Sequence, residues 1–378
     1  ACAVAADPDP RLGKHVMLKE TAQPAVGSKR LPWTDIALPA TVTQVQDPWL
    51  WLGIAWVHKD QVLSIDDAPA YYTGLIKRSG GRNANDYLLR GVSWLAKWEY
   101  ANALKDFNDA IRLEPGNSML HTCRGKAEYL LHRFDAALED FTEAIRLDPS
   151  NLVAYNDRGA AYNSKSDFMR AHEQYNEVLR VDPNNSLAYN NRGSNWMDRG
   201  DLDKALADLN ESLRLDPKSA PTYANRGRVL TRRGDYQDAI GDFEKSMKMA
   251  PGDWPGYNGW ARVLATSPWP QLRDGTRAKQ LAEQACELSR WNEWMPIATL
   301  AAACAELGDF EAAIKWQTKA MEMDSPAKET DQRENDKRMV SYRAGKAYVE
   351  QLPEKVADAT ESAPAPTAPG DAPEAKEP

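Results

Sequence analysis

The residues of this 378-residue chain that could do chemistry are few: five His and four Cys, set among 47 basic and 55 acidic side chains. His121, Cys123 and His132 form the one local grouping of metal-binding types. On a shared helix the two histidines, 11 residues apart, would stand about 16 Å apart along the axis, too far to share an ion. No metal and no cofactor is therefore expected. Cys286 and Cys304 admit two readings: buried thiols in small apolar slots, or a disulfide if the compartment is oxidising. The sequence holds no phosphate-binding loop, no GxGxxG turn after a strand, no GxSxG elbow and no HExxH pair. No catalytic residue is assigned, and the chain is expected not to be an enzyme. A net charge of −8 argues against nucleic acid as partner, since phosphate binding wants a basic face. Apolar runs such as 297–305 fall short of the roughly 20 residues that a membrane-spanning helix needs.

What the sequence has instead is a period. Gly91, Gly125, Gly159, Gly193 and Gly227 stand 34 residues apart. So do Ala103, Ala137, Ala171, Ala205 and Ala239, and so do Pro115, Pro149, Pro183, Pro217 and Pro251. Aromatic residues recur in phase at Tyr87, Tyr155, Tyr189 and Tyr223, then at Phe107, Phe141, Tyr175 and Phe243. Five blocks follow: 84–117, 118–151, 152–185, 186–219 and 220–253. Each reads as two amphipathic helices, a pair that cannot bury its apolar face alone. The small residues let the two helices approach, the aromatics fill the space between pairs, and the Pro past the second helix forces the turn. Arg90, Arg124, Arg158, Arg192 and Arg226 recur beside the glycines. Asp106, Asp140, Asp208 and Asp242 recur on the second helix, with Gln174 in the missing slot. A column repeated in every block reads as structure rather than as a ligand site, here an ion-pair ladder that stitches helices. Arg112, Arg146, Arg180, Arg214 and Lys248 fall in the last turn of each second helix, where a cation complements the helix dipole.

This spacing of Gly, Tyr, Ala, Phe and Pro resembles the tetratricopeptide repeat, a 34-residue helix–turn–helix unit. The resemblance covers 84–327. Within it, 254–293 is irregular, with an insertion at 266–274 and a second helix resuming near Gly275, while 294–327 is regular again. The implied fold is mainly α: a right-handed superhelical solenoid of repeats, preceded by a small β-barrel. A connecting helix is expected within 66–83. One more helix, over 333–350 within the segment 328–351, is expected to cap the apolar end of the stack. Residues 352–378, rich in Pro, Ala and Glu, read as a disordered acidic tail.

Residues 14–65 cluster β-formers at Val16-Met17-Leu18, 41–45, Trp49-Leu50-Trp51-Leu52 and Ala55-Trp56-Val57. Their order resembles a small bacterial SH3-like barrel, with Ala55 where that family usually has Gly. The small-residue run at 1–6, before Asp7-Pro8, reads as the processed end of a signal segment in 1–13. An exported bacterial protein of the periplasm or cell envelope is the expectation. A lipoprotein anchored at Cys2 and an arbitrary start are the alternatives.

In tetratricopeptide solenoids the first helices line a concave groove that holds extended peptides or partner helices. The resemblance assigns this groove to the second, fifth, sixth, ninth and thirteenth positions of each block. Those positions supply Lys126; Asn156 and Asp157; Asn190, Asn191 and Ser194; then Asn225, Arg228 and Arg232. Asn191 and Asn225 fall in the column where the O-GlcNAc transferase superhelix, which this stretch resembles, carries an asparagine ladder against a peptide backbone. Asp157 interrupts that column. The Lys and Asn of the chaperone-type carboxylate clamp are replaced by Leu88 and Val92, so that clamp is not expected. An amide side chain both donates and accepts, which matches a bare peptide backbone. Lys126, Arg228 and Arg232 would add a preference for acidic segments. The plainer alternative is that these asparagines only decorate helix surfaces.

The function expected is a non-enzymatic protein-interaction scaffold that binds a protein or extended peptide. Two other readings stay open: a cell-envelope attachment protein whose SH3-like domain binds peptidoglycan, and a non-catalytic subunit of an enzyme complex. Trp254, Trp260, Trp269, Trp291 and Trp294 crowd the irregular repeat. They read as packing between helices, the favoured reading, or as a second contact site, with Trp269, between two prolines, the likeliest of the rings to be exposed.

Overall fold

The structure, a computed structural model, describes residues 14–19, 21–26, 29–30, 38–42, 44–46, 48–52, 55–323 and 329–351. The expected signal remnant and acidic tail lie outside the described residues. The chain divides into two compact units, with the boundary between Arg158 and Gly159.

The first unit opens with eight short strands: β1 (His15–Leu18), β2 (Ala25–Val26), β3 (Lys29–Arg30), β4 (Ala40–Thr41), β5 (Gln44–Gln46), β6 (Trp49–Trp51), β7 (Trp56–His58) and β8 (Val62–Ser64). They form two antiparallel sheets, ordered β4-β1-β8 and β3-β2-β7-β6-β5. Alternation along β1 decides its faces. Val16 and Leu18 join Val42, Leu50, Ala55 and Val57 in one apolar cluster. Met17 joins another, with Tyr72 and Leu75 of α1 (Ala68–Arg78) and Leu89 of α2 (Ala84–Ala96). The Tyr72 hydroxyl donates to the Leu18 carbonyl at 2.6 Å. This region is compatible with the SH3-like domain read from the sequence, but one of its faces is completed by helices. Ala55 is fully buried, and its carbonyl accepts the Leu52 N–H at 2.9 Å.

Helical hairpins make up the rest. In the first unit α2 pairs with α3 (Tyr100–Leu113), and α4 (Ser118–Leu130) with α5 (Phe134–Leu147). The boundary between units falls inside α6 (Leu152–Ser164). In the second unit α7 (Phe168–Val181) is followed by α8 (Ser186–Asp198) with α9 (Leu202–Leu215), and by α10 (Ala220–Arg233) with α11 (Tyr236–Met249). Then come α12 (Trp254–Thr266) with α13 (Gly275–Leu288), α14 (Trp294–Glu306) with α15 (Phe310–Glu322), and α16 (Glu329–Arg343).

The periodic residues explain the hairpins. A Cβ on Gly227 would lie 2.6 Å from the Phe243 ring, and one on Gly125 2.8 Å from Phe141. The glycine is therefore the socket for the ring of the second helix, and Leu209 fills the same socket against Gly193. In every hairpin but α12–α13 the chain turns through one left-handed residue. Gly200 and Gly234 suit that conformation, but Trp98, His132 and Ser166 adopt it too, with φ of 65°, 58° and 61°. His132 is thus a turn residue and not half of a metal pair.

The Arg and Asp columns form the expected ladder. Arg90, Arg124, Arg192 and Arg226 contact Asp106, Asp140, Asp208 and Asp242 at 2.5–2.8 Å. Each guanidinium also reaches back one repeat. Arg124, Arg192 and Arg226 donate to Asn108, Asn176 and Asn210 at 2.7–2.8 Å. Arg90, which has no repeat before it, donates to Thr73 of α1 at 3.0 Å. Helix α1 therefore stands in for the second helix of a preceding repeat. The bond to Asp106 holds the Arg90 guanidinium above its ordinary pKa, yet burial pushes the Asp106 carboxyl up despite Arg90. The two shifts differ in meaning because Asp106 is 3% exposed and Arg90 20%: the carboxylate has lost its water and the guanidinium has not. Such pairs fix which helices meet more than they add net stability.

Candidate functional site

In the second unit the first helices pack on one another, α8 on α10, α10 on α12 and α12 on α14, and so share a face. The asparagines lie at the α8–α10 seam. Asn225 Nδ2 donates to Asn190 Oδ1 at 3.0 Å, and Asn190 Nδ2 donates to Asn191 Oδ1 at 3.2 Å. Asn190 is buried and serves as the middle link of this amide chain. Asn191 and Asn225, at its ends, are half-buried, as is Ser194 one turn further along α8. Arg228 Nη1 donates to Asn225 Oδ1 at 3.4 Å, and Arg232 Nη1 to the Met197 carbonyl at 3.0 Å.

Beside Asn225 the face opens into a cavity of about 310 Å³. Arg228 and Arg232 line it from α10, Trp254, Asn258 and Arg262 from α12, Trp294 from α14, and Glu334 and Arg338 from α16. Asn258 Oδ1 has no hydrogen-bond partner. Burial by itself would depress the Arg262 pKa, but Glu350 and Glu334 more than reverse this and raise it. Burial would likewise raise Glu334, yet Arg262, Arg338 and Arg232 hold its carboxyl below the usual range. Arg262 and Thr266 stand 34 residues after Arg228 and Arg232. The ninth- and thirteenth-position columns thus run on into the irregular repeat. The insertion at 266–274 hid this continuation, although the spacing alone could have revealed it.

The C-terminal helix differs from expectation. Helix α16 stops at Arg343 instead of running to 350. Gly345, at φ 68°, turns the chain, and the residues after it are not helical. The reason is local: the Lys346 N–H bonds back to Ser341 at 3.0 Å, a helix-ending turn for which glycine is suited. Helix α16 does pack on α15 and α14.

Of the five clustered tryptophans, Trp254 and Trp294 border the cavity. Trp260 is buried, with the Arg277 guanidinium 4.2 Å from its ring centre. Trp269, the likeliest of the five to be exposed, is packed. The Pro-flanked segment folds back as a short 3-10 turn, Pro270–Leu272, and Trp269 is half-buried against the core of the second unit. Trp291 stacks on Trp316 at 5.2 Å. Cys286 and Cys304 are buried free thiols, and burial pushes Cys286 up to about 12.

The first unit holds the remaining predicted site residues. Lys126 is exposed on α4. Asn156, at 2% exposure, is out of reach of a ligand, because the fifth position faces into the seam between helices. Burial pushes the Asp157 carboxyl up, against the pull of Lys126, and its Oδ2 has no hydrogen-bond partner. Leu88 and Val92 pack against buried apolar clusters. His121 Nε2 lies 3.1 Å from the Pro115 carbonyl, as the Tyr257 hydroxyl lies 3.2 Å from that of Pro251. It fills a tyrosine's slot. Among the described residues no group of three or more His, Cys, Asp or Glu could hold a metal, and no helix is long and apolar enough to cross a membrane.

Models of the tetratricopeptide repeat match residues 118–151, 156–220, 220–253 and 298–326. These segments are tetratricopeptide repeats. Solved structures resemble the chain at low identity. The APC/C hetero-tetramer Cut9-Hcn1 is 18% identical over 72% of this chain, with a TM-score of 0.54; this chain spans about half, 52%, of the chain it matches there. A tetratricopeptide repeat protein from Parabacteroides merdae ATCC 43184 is 18% identical over 67% of this chain and 97% of its own, with a TM-score of 0.46. YrrB, described as a tetratricopeptide-repeat protein with an unusual peptide-binding site, is 18% identical over 49% of this chain and 95% of its own, at 0.35. The likeness to Cut9-Hcn1 is one of fold alone. No curated protein matches the sequence significantly. Tetratricopeptide repeats generally serve as scaffolds for protein–protein interaction.

Proposed function

We propose that this tetratricopeptide-repeat protein is a non-enzymatic scaffold whose α8–α10 face binds an extended, acidic polypeptide segment. The observation that carries the reading is the amide chain of Asn190, Asn191 and Asn225 beside Arg228 and Arg232. A backbone laid along that face meets donors and acceptors in alternation, which tolerates varied side chains. The two arginines favour carboxylates, and their contribution weakens with salt. Asn190 holds the amide chain in place, so ligand contact falls to Asn191, Ser194, Asn225, Arg228 and Arg232. Lys126 and Asp157 belong to the first unit and are not needed for it.

The test is affinity purification of the full chain, identification of the bound partner, and remeasurement with Asn191→Ala/Asn225→Ala. Binding should fall at least tenfold with helicity intact. Binding within twofold of wild type would move the site elsewhere.

A further inference from the structure

The cavity beside the amide chain already has a peptide next to it, and that peptide is the protein's own. After the turn at Gly345, residues 346–350 run back to α12. The Glu350 N–H donates to the Thr266 carbonyl at 2.8 Å. Its carboxylate takes the Arg262 Nε–H at 2.6 Å and the Thr266 hydroxyl at 3.0 Å. Tyr348 lies under Arg338, with the guanidinium 5.5 Å from the ring centre, and packs with Ala347 against the core that α14 and α15 share. The Glu350 side chain is 14% exposed.

These contacts fall on two of the columns assigned to ligand. Arg262 is the ninth-position residue of α12, as Arg228 is of α10. Thr266 is the thirteenth, as Arg232 is. An extended segment that gives one backbone bond and one carboxylate to the ninth and thirteenth positions is bound as a groove ligand would be.

We propose that residues 346–350 are a resident ligand in cis, and that the partner of this groove carries the same chemistry: an extended segment with an aromatic residue two positions before a glutamate. This deepens the scaffold reading and rests on it for the identity of the partner class. A segment tethered next to its site presents itself at about millimolar effective concentration. A partner in trans therefore binds only the fraction of molecules whose groove is vacated, and its apparent affinity is lower by that fraction.

The experiment uses the full chain and a labelled peptide with the sequence of residues 344–351, AGKAYVEQ, read by fluorescence anisotropy. The Tyr348→Ala/Glu350→Ala chain should bind it at least tenfold more tightly than wild type. A peptide with Tyr→Ala and Glu→Gln at the matching positions should not bind. Equal binding by the two chains, or no binding to the variant, overturns the proposal. If the double variant loses helicity, Glu350→Gln replaces it, with at least a threefold gain expected and none overturning. The scaffold reading is tested separately. If Asn191→Ala/Asn225→Ala abolishes capture of a partner while the Tyr348→Ala/Glu350→Ala chain binds the labelled peptide no better than wild type, the scaffold stands and the cis ligand is overturned. If the peptide results hold and no acidic partner is captured by either chain, the cis ligand stands and the scaffold reading falls.

Discussion

The regular repeats of the second unit and its C-terminal end use the same ion types differently. Between 186 and 253 each seventh-position guanidinium bridges its own second helix and the one before: Arg192 to Asp208 and Asn176, Arg226 to Asp242 and Asn210. From 254 that column ends, with Trp260 and then Leu300 in its place. The ion pairs that take over are long-range, Arg262 to Glu334 and to Glu350, 72 and 88 residues away. A ladder pair recurs because every joint between hairpins is the same joint. The Arg262 pairs occur once because they hold one segment in one place. Ion pairs that recur in this protein mark architecture, and the Arg262 pairs, which do not recur, hold the segment that ends at Glu350.

That contrast breaks first on the regular side. Arg226→Ala leaves Asp242, 4% exposed, without its guanidinium, and should destabilise the chain by about 3 kcal/mol in urea unfolding. Adding Asp242→Leu should recover most of the loss; a further loss instead would mean that the pair is not the joint. Gly227→Ala drives a Cβ to 2.6 Å from the Phe243 ring and should cost about 2 kcal/mol. At the C-terminal end Gly345→Ala meets no atom within 4 Å. Only its left-handed backbone opposes the change, so about 1 kcal/mol is expected. That effect should be confined to hydrogen-exchange protection of 346–350, whereas Gly227→Ala should loosen α10 and α11 together.

Two carboxyls with opposite shifts sharpen the comparison further. Glu334 is held below the ordinary carboxylate range despite its burial, chiefly by Arg262. Its contribution is complete above the unfolded value, about 4.3, and is lost as pH falls through the depressed folded value. Protection of the Glu350 N–H, corrected for intrinsic rate, should therefore hold from pH 7 to 5 and drop in stronger acid. Asp157 in the first unit has the reverse sign, since burial raises it. Its charge opposes folding above the raised value and ceases to matter below the ordinary one, about 3.9. Asp157→Asn should stabilise by about 1 kcal/mol at pH 7, and the gain should vanish toward pH 3.5. A loss at pH 7 would show that the carboxylate has a partner there.

Much of the architecture could be read from spacing. The first helices begin at Ala84, Ser118, Leu152, Ser186, Ala220, Trp254 and Trp294, the starts of the seven blocks. The glycine and aromatic columns sufficed because one contact, a second-helix side chain against bare backbone, recurs from Gly91 to Gly227. Less of the site was legible. Asn156 and Asn190 stand at the fifth position of their blocks, and only packing shows that this position is buried while the sixth, with Asn191 and Asn225, is not. Asn108, Asn176 and Asn210 are exposed, yet each accepts a bond from the guanidinium of the following repeat. The turn column was hidden by Trp98, His132 and Ser166, which adopt a conformation that sequence reading reserves for glycine. The return of 346–350 to α12 has no periodic signature, because it depends on one glycine turn and one pair of partners far apart in sequence.

Recognition of acidic backbone segments by the α8–α10 face can be measured on peptides. An array of extended peptides, varied in acidic content and probed with the full chain and with Asn191→Ala/Asn225→Ala/Arg228→Ala, tests it most directly. The account predicts that wild type retains acidic peptides in preference to their Asn/Gln counterparts, that the preference fades with added salt, and that the variant loses both. The same pattern of retained peptides from wild type and variant, or no preference for acidic sequences, would contradict it.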